Sequence, residues 1–276
     1  TGSSLDTGVP QESVQCVYIA SGDIMKRHNV DYHLYADDTQ LYMKFIPTEG
    51  PEKKARLEAR IIEVRAWMSH NFLCLNDDKT EFMRFSTRST GDQTDIHSVR
   101  VGDADIPVRF EARNLGVILD STLSMKANVS AVCRSVRFHL RRIGLIRKYL
   151  TKSATEQLVH ALISSRLDYC NSLYIGINTT QIQRLQRLQN SAARVVTRTR
   201  PTDHITPVLR ALHWLPVPQR IEFKVLILTF KALHGLAPAY LCDLVEWHAP
   251  GREGLRSSNL YQAQRKGGRG FKVRTG

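Results

Sequence analysis

The chain lacks any apolar run approaching the roughly 18 residues that a membrane-spanning helix needs, so no such helix is expected. Residues 1–20 lack a basic segment followed by an apolar one, so no secretory signal is expected there. Cysteine is scarce and scattered: Cys16, Cys74, Cys133, Cys170 and Cys242, an odd set with no C-x-x-C spacing. That pattern argues against a disulfide framework or a zinc knuckle, and for a reducing compartment. An intracellular protein, nuclear or cytoplasmic, is expected. There is no nucleophile elbow, no phosphate-binding glycine loop and no pairable Ser-His-Asp set. His160, His204, His213, His234 and His248 fall in no metal-ligand spacing with each other or with Cys242, which predicts structural roles.

Acid is missing from two long stretches. Ser121 to Lys152 holds no Asp or Glu but carries Lys126, Arg134, Arg137, Arg141, Arg142, Arg147, Lys148 and Lys152. Tyr169 to Thr202 is again acid-free, with Arg184, Arg187, Arg194, Arg198 and Arg200. The formal net charge is +13 and the pI about 9.8. A soluble protein this basic usually meets a polyanion, and cations without intervening acid suit phosphate, because each neutralised phosphate releases counterions. The alternative is a solvated basic surface. Arg134, Arg137, Arg141, Arg142 and Lys148 are the candidate backbone contacts; their spacing is read as not confined to one face, so some would be merely solvated.

What is present divides the chain in two. With 42% apolar residues there is material for a core. A strand leads into Asp37-Asp38 and another follows it; Pro47 and Gly50-Pro51 end the hairpin. Leu57, Ile61, Val64 and Met68 predict an amphipathic helix from about Glu52 to Asn71. Thr80 to Phe85 alternates as a strand, and Val99 to Ile106 with Phe110 to Leu119 reads as a strand pair. Beyond Asp120 the pattern is helical. Met125, Val129, Val132, Val136, Leu140 and Ile143 form one stripe. Ser153 to Glu156 reads as a capping box; further helices are expected over Gln181–Val196 and Gln219–His234, the latter closed by Gly235. The expected fold class is α+β: a small antiparallel sheet with a helix over 1–120, then an all-α region over 121–250. The stretch 251–276 is a basic, glycine-rich tail without apolar periodicity, expected to be disordered.

The chemistry-bearing feature is Tyr35-Ala36-Asp37-Asp38. Clustered carboxylates at a hairpin tip call for a cation, and hard oxygen donors suit Mg²⁺; an ordinary Asp-rich turn is the other possibility. Between β-like segments the tetrapeptide resembles the central catalytic motif of reverse transcriptases. Leu75-Asn76-Asp77-Asp78-Lys79-Thr80-Glu81 resembles the next palm motif of that family. Asn114-Leu115-Gly116-Val117-Ile118-Leu119-Asp120 resembles the motif that supports the primer end. Gly8-Val9-Pro10-Gln11 with Ser13 resembles the preceding motif, which contacts template and incoming nucleotide. The likeness is to non-LTR retrotransposon enzymes of the jockey and chicken-repeat type. Their C-terminal halves carry stretches similar to Arg141–Leu150, Ser165–Ser172, Leu185–Arg194 and Leu212–Pro216.

The resemblance implies a partial polymerase palm followed by a helical thumb, and RNA-templated DNA synthesis by two-metal nucleotidyl transfer. It implies two Mg²⁺ ions, with an RNA template, a DNA primer and deoxynucleoside triphosphates as partners. Asp37 and Asp38 would be metal ligands; Lys79 would donate a proton to pyrophosphate, or be an exposed lysine at a strand start. Pro10, Gln11 and Ser13 would contact template and nucleotide. Leu115 and Gly116 would support the primer; a strand glycine can equally mark a bulge. Tyr35 would pack near the site or in the core. Asp77 and Asp78 read as turn residues. The basic helices would grip the duplex through phosphates.

The pattern departs from the family in three places. The family's third carboxylate comes from a strand upstream of the motif matched by Gly8-Val9-Pro10-Gln11, and Asp6 is too close to that motif to be it. Glu12 stands where the family carries glycine beside the triphosphate, adding a side chain and a repulsive charge. Residues 14–20 are too few for the apolar helix the family places before the hairpin. A truncated enzyme, inactive alone, is expected; a non-catalytic nucleic-acid-binding module is the alternative.

Overall fold

The computed structural model describes residues 31–35, 38–86, 96–247, 262–265 and 273–274. The fold is mixed α+β, with small sheets and a larger share of helix. The chain forms two compact units, one of residues 1–114 with 120–123, the other of residues 115–119 with 124–276. Among the described residues no helix is long and apolar enough to cross a membrane.

In the first unit, β1 (Asp31–Tyr35) and β2 (Asp38–Tyr42) pair antiparallel, Tyr35 opposite Asp38. Helix α1 (Gly50–His70) starts just ahead of Pro51, whose missing N–H costs nothing in a first turn. It packs on a three-stranded sheet of order β3 (Phe82–Met83), β5 (Ala104–Arg109), β4 (Ser98–Val101). β3 runs parallel to β5, and β4 antiparallel to it. The small core is Val64 of α1 with Ile96, Val99 and Val101. The Glu58 carboxylate accepts the Arg100 N–H at 2.8 Å, tying α1 to the β4 edge. The single strand expected over Val99–Ile106 is in fact a hairpin: Gly102, at φ +61, opens a two-residue turn that a strand-period reading runs through.

β6 (Glu111–Asn114) and β7 (Val117–Asp120) are likewise two arms of one hairpin, not one strand. The second unit is built on α2 (Lys126–Ile146) and α5 (Thr179–Thr197), which pack along each other. Val129, Cys133, Val136 and Ile143 of α2 meet the core that Leu185, Leu188, Ala192 and Val196 of α5 also enter. Each buried aliphatic of this kind is worth about 1.5–3 kcal/mol. Between them run α3 (Lys152–Val159), a π-helical turn (His160–Ser164) and α4 (Ser165–Asp168). The cap of α3 is Thr151, whose hydroxyl accepts the Ala154 N–H at 3.1 Å, and not the Ser153 box the sequence suggests. Two hydroxyl residues lie two apart, and the one that leaves the helix at ψ 165° takes the cap.

Helix α6 (Ile205–Ala211) was not expected from the sequence; α7 (Val217–Leu233) and the short α8 (Ala239–Cys242) follow. α7 closes as expected at Gly235, φ +67: its N–H reaches the Ala232 carbonyl and the Leu236 N–H the Lys231 carbonyl. β8 (Val245–Trp247), β9 (Gln262–Arg265) and β10 (Val273–Arg274) form an antiparallel sheet. β9 and β10 fall within the stretch 251–276.

Candidate functional site

Pro10, Gln11, Ser13 and Asp37 lie outside the described residues. Asp38 is the exposed first residue of β2, and Tyr35 opposite is 58% exposed, so it is not a core tyrosine. An exposed carboxylate is the oxygen donor Mg²⁺ takes, but one carboxylate is not a site. Among the described residues no group of three His, Cys, Asp or Glu side chains could hold a metal ion.

Two residues beyond Asp38, the Gln40 amide donates to the Asn114 side-chain oxygen at 2.7 Å. This bond joins the hairpin of the Asp-Asp motif to the residue that opens Asn114-Leu115-Gly116, 74 positions later. Leu115 at φ +45 and Gly116 at φ +82 are the two central residues of the β6–β7 turn. Both carry positive φ, the signature of a type I′ hairpin, so Gly116 is a turn glycine and marks no bulge. A Cβ on Gly116 would meet only the Tyr169 ring, at 3.5 Å, an ordinary contact; the left-handed backbone is what selects glycine. The Tyr169 hydroxyl donates to the Leu115 carbonyl at 2.6 Å.

Lys79 ends a single 3₁₀ turn, Asp77–Lys79, capped by Asn76, whose side chain accepts the Lys79 N–H at 3.1 Å. The Lys79 side chain is exposed. Asp77 has a structural partner: Arg65 Nη1 reaches both its carboxylate oxygens, at 2.7 and 2.8 Å. The hydrogen bond to Asp77, then its charge, hold the Arg65 guanidinium above its ordinary pKa. That guanidinium also presses on Gly102, where a Cβ would lie 2.7 Å from Nη1.

The basic helices sort into two groups. Arg147 caps the end of α5: Nε donates to the Val195 carbonyl at 2.7 Å and Nη2 to Val196 at 2.8 Å. Arg166 and Arg184 bind the hydroxyls of Ser135 and Ser130, and Arg194 binds the carbonyls of Arg200, Pro201 and Asp203. These cations hold the second unit together. Arg134, Arg137, Arg141, Arg142 and Lys148 instead are all exposed, with no hydrogen bond or ion pair among the described residues. At 3.6 residues per turn the four arginines fall within about 140° of arc on the side of α2 away from Val129, Val136 and Ile143. The four arginines thus lie on one side of α2, and Lys148 stands beyond it in the turn Arg147–Tyr149. Missed altogether were the rings on that face: Phe138, 56% exposed under the Arg142 guanidinium at 5.2 Å, and Tyr149, 77% exposed under Lys148 Nζ at 4.8 Å.

The remaining stretches quoted for the family likeness meet in the second unit. Gln189, buried in α5, donates to the Leu215 carbonyl at 2.8 Å, and Gln186 accepts the Val217 N–H at 2.7 Å. Asp168 pairs with Arg220 at 2.6 Å. His213 turns the backbone at φ +55 while Leu212 and Trp214 are buried. His160 packs edge-on against Trp214, and His234 packs at a tilt against Phe230. No family model matches the chain, and no curated protein or solved structure matches it either.

Proposed function

We propose that the chain is part of a reverse transcriptase of the non-LTR retrotransposon type, its first unit a portion of the palm and its second a thumb with C-terminal helices. The ordered motifs at Gly8, Tyr35, Leu75 and Asn114 support this reading. The observation that carries it furthest is the Gln40–Asn114 hydrogen bond, which joins the Asp-Asp hairpin to the segment that resembles the primer-supporting motif. Asp37 and Asp38 would hold Mg²⁺, and Lys79 would protonate the departing pyrophosphate. Two-metal chemistry, where the full carboxylate set is present, activates the primer 3′-hydroxyl and steadies the leaving group. Pro10, Gln11 and Ser13 would face template and nucleotide, and Leu115-Gly116 the primer end.

The third carboxylate of that chemistry belongs to an upstream strand, so these 276 residues by themselves are expected to give no primer extension with Mg²⁺. Synthesis that persists in Asp37→Asn would remove the metal role from the pair. Synthesis abolished by it would show the carboxylate set to be sufficient as it stands.

A second reading, a nucleic-acid-binding module without catalysis, is favoured by the five outward cations of α2 and the turn after it. It predicts salt-dependent binding of an RNA–DNA duplex, indifferent to Asp37→Asn and lost on charge reversal of Arg141 and Arg142. Binding unaffected by salt would reject it.

A further inference from the structure

The outward face of α2 carries more than cations. Among the exposed residues on it and on the turn that follows are Arg134, Arg137, Phe138, Arg141, Arg142, Leu145, Lys148 and Tyr149. The inward face is already spent on the core, with Val129, Cys133 and Val136 fully buried. Phosphate binding explains the five cations but not the rings. Leaving Phe138, Leu145 and Tyr149 in water forgoes burial that a purely electrostatic surface has no reason to give up. A closed duplex offers these rings nothing to stack on, because its bases already stack on one another and present only edges. Unpaired bases offer π faces.

From these observations the geometry points to a platform for single-stranded nucleic acid along α2, with bases stacking on Phe138 and Tyr149 and phosphates held by Arg134, Arg137, Arg141, Arg142 and Lys148. This rests on the reading of the chain as nucleic-acid-binding, and it names the form of nucleic acid that this face takes. The rings stand eleven residues apart, Phe138 within α2 and Tyr149 in the 3₁₀ turn after it, so they serve different nucleotides of one strand. Each has a cation seated over it, Arg142 at 5.2 Å and Lys148 at 4.8 Å, which holds the ring while leaving more than half of it exposed. No acid between Ser121 and Lys152 opposes a strand laid along the face. The arrangement argues against an acidic membrane as occupant. Arg141 and Arg142 lie between Phe138 and Leu145 on the same side of α2, whereas an interfacial helix sets its basic residues on the face opposite its apolar ones.

The test is fluorescence anisotropy on the full chain, with a labelled single strand of about 16 nucleotides and a blunt duplex of the same length. Phe138→Ala with Tyr149→Ala is compared with charge reversal at Arg141 and Arg142. Both rings are exposed, so their truncation is expected to leave the circular dichroism spectrum and the thermal midpoint unchanged. The ring variant should weaken single-strand binding by about tenfold for each ring removed while duplex affinity moves by less than about twofold. Phe138→Tyr should retain the single-strand affinity. Charge reversal should weaken both. Equal effects of ring removal on the two ligands, or none, would overturn the platform and leave the phosphate-binding reading standing. Failure of the unaltered chain to bind either ligand would overturn both. Ring-dependent binding to phosphatidylserine vesicles that exceeds binding to the single strand would overturn the proposal in favour of a membrane surface.

Discussion

Seven of the described residues other than glycine hold a left-handed backbone, Phe72, Leu115 and His213 among them. Phe72, at φ +59, follows the last turn of α1; its N–H reaches the Ser69 carbonyl, and the Leu73 N–H the Met68 carbonyl. That is the same pair of closing bonds Gly235 makes after α7. Leu115 and His213 share the positive φ. A left-handed conformation costs a non-glycine residue about 1–2 kcal/mol. Phe72 is 99% exposed, so it recovers nothing by packing. Phe72→Gly should therefore raise stability by about 0.5–1 kcal/mol, the larger unfolded-state entropy of glycine taking back part of the gain; chemical denaturation measures it. Buried polarity is the other matter at this scale. Asn128 accepts the Ile118 N–H at 3.0 Å and donates to the Tyr174 hydroxyl at 2.8 Å. Burial pushes that hydroxyl up to about 12, against the smaller opposing effect of Asn128. A raised pKa means that the unfolded chain loses this proton first as pH climbs. Tyr174 stabilisation is thus complete below about pH 10 and is lost as pH rises towards 12. Tyr174→Phe should be less stable than the parent by about 1–2 kcal/mol at neutral pH, from the stranded Asn128 donor. That gap should narrow as pH rises above 10; urea midpoints across the range test the sign.

At the scale of elements, the second unit is held by helices that lend side chains to one another's ends. Gln186 and Gln189 of α5 are bonded together at 3.0 Å and anchor the segment Leu215 to Val217 that starts α7. Gln189→Ala should cost about 1–3 kcal/mol, because it takes the donor from the Leu215 carbonyl and one acceptor from the Gln186 amide within a network of low dielectric. Faster hydrogen exchange at Val217 would locate the damage. Such bonds were invisible in the sequence, where a glutamine facing the core and one facing water look alike. What was legible is whatever periodicity encodes: the stripe Val129, Val136, Ile143 gave α2, and Leu185, Leu188, Ala192 gave α5. α6 was missed because Pro207 within Ile205–Ala211 reads as a breaker, though it sits in a first turn where no N–H is needed. The turns at Gly102 and Leu115 were missed for a related reason: period-2 alternation continues through a two-residue hairpin, and leucine in the left-handed region carries no sequence signal. The candidate site was legible as motifs, but the Gln40–Asn114 bond and the ringed face of α2 depend on folding and on angular position.

For the whole molecule, a net charge of +13 is a poor guide to binding until the cations are sorted by what they already hold. Arg147 has three donors committed to the carbonyls of Val195, Val196 and Leu150, and burial lowers its pKa, with the nearby Arg198 charge adding to the effect. Removing it takes away charge-assisted bonds worth about 1.5–3 kcal/mol each and leaves a helix end uncapped. Arg141 and Arg142, six and five positions earlier, hold no carbonyl or carboxylate among the described residues. The two kinds of arginine therefore predict opposite phenotypes from the same loss of charge. Arg147→Ala should lower the unfolding free energy by about 2 kcal/mol or more and leave the salt dependence of nucleic-acid binding unchanged at temperatures where the chain stays folded. Arg141→Glu with Arg142→Glu should leave the unfolding free energy within about 0.5 kcal/mol of the parent, since both lie on a solvated face. The same pair should flatten the plot of log affinity against log salt by about one unit for each phosphate that is no longer neutralised. If Arg147→Ala flattened that plot equally, binding would follow the total charge and no particular face would be responsible for it.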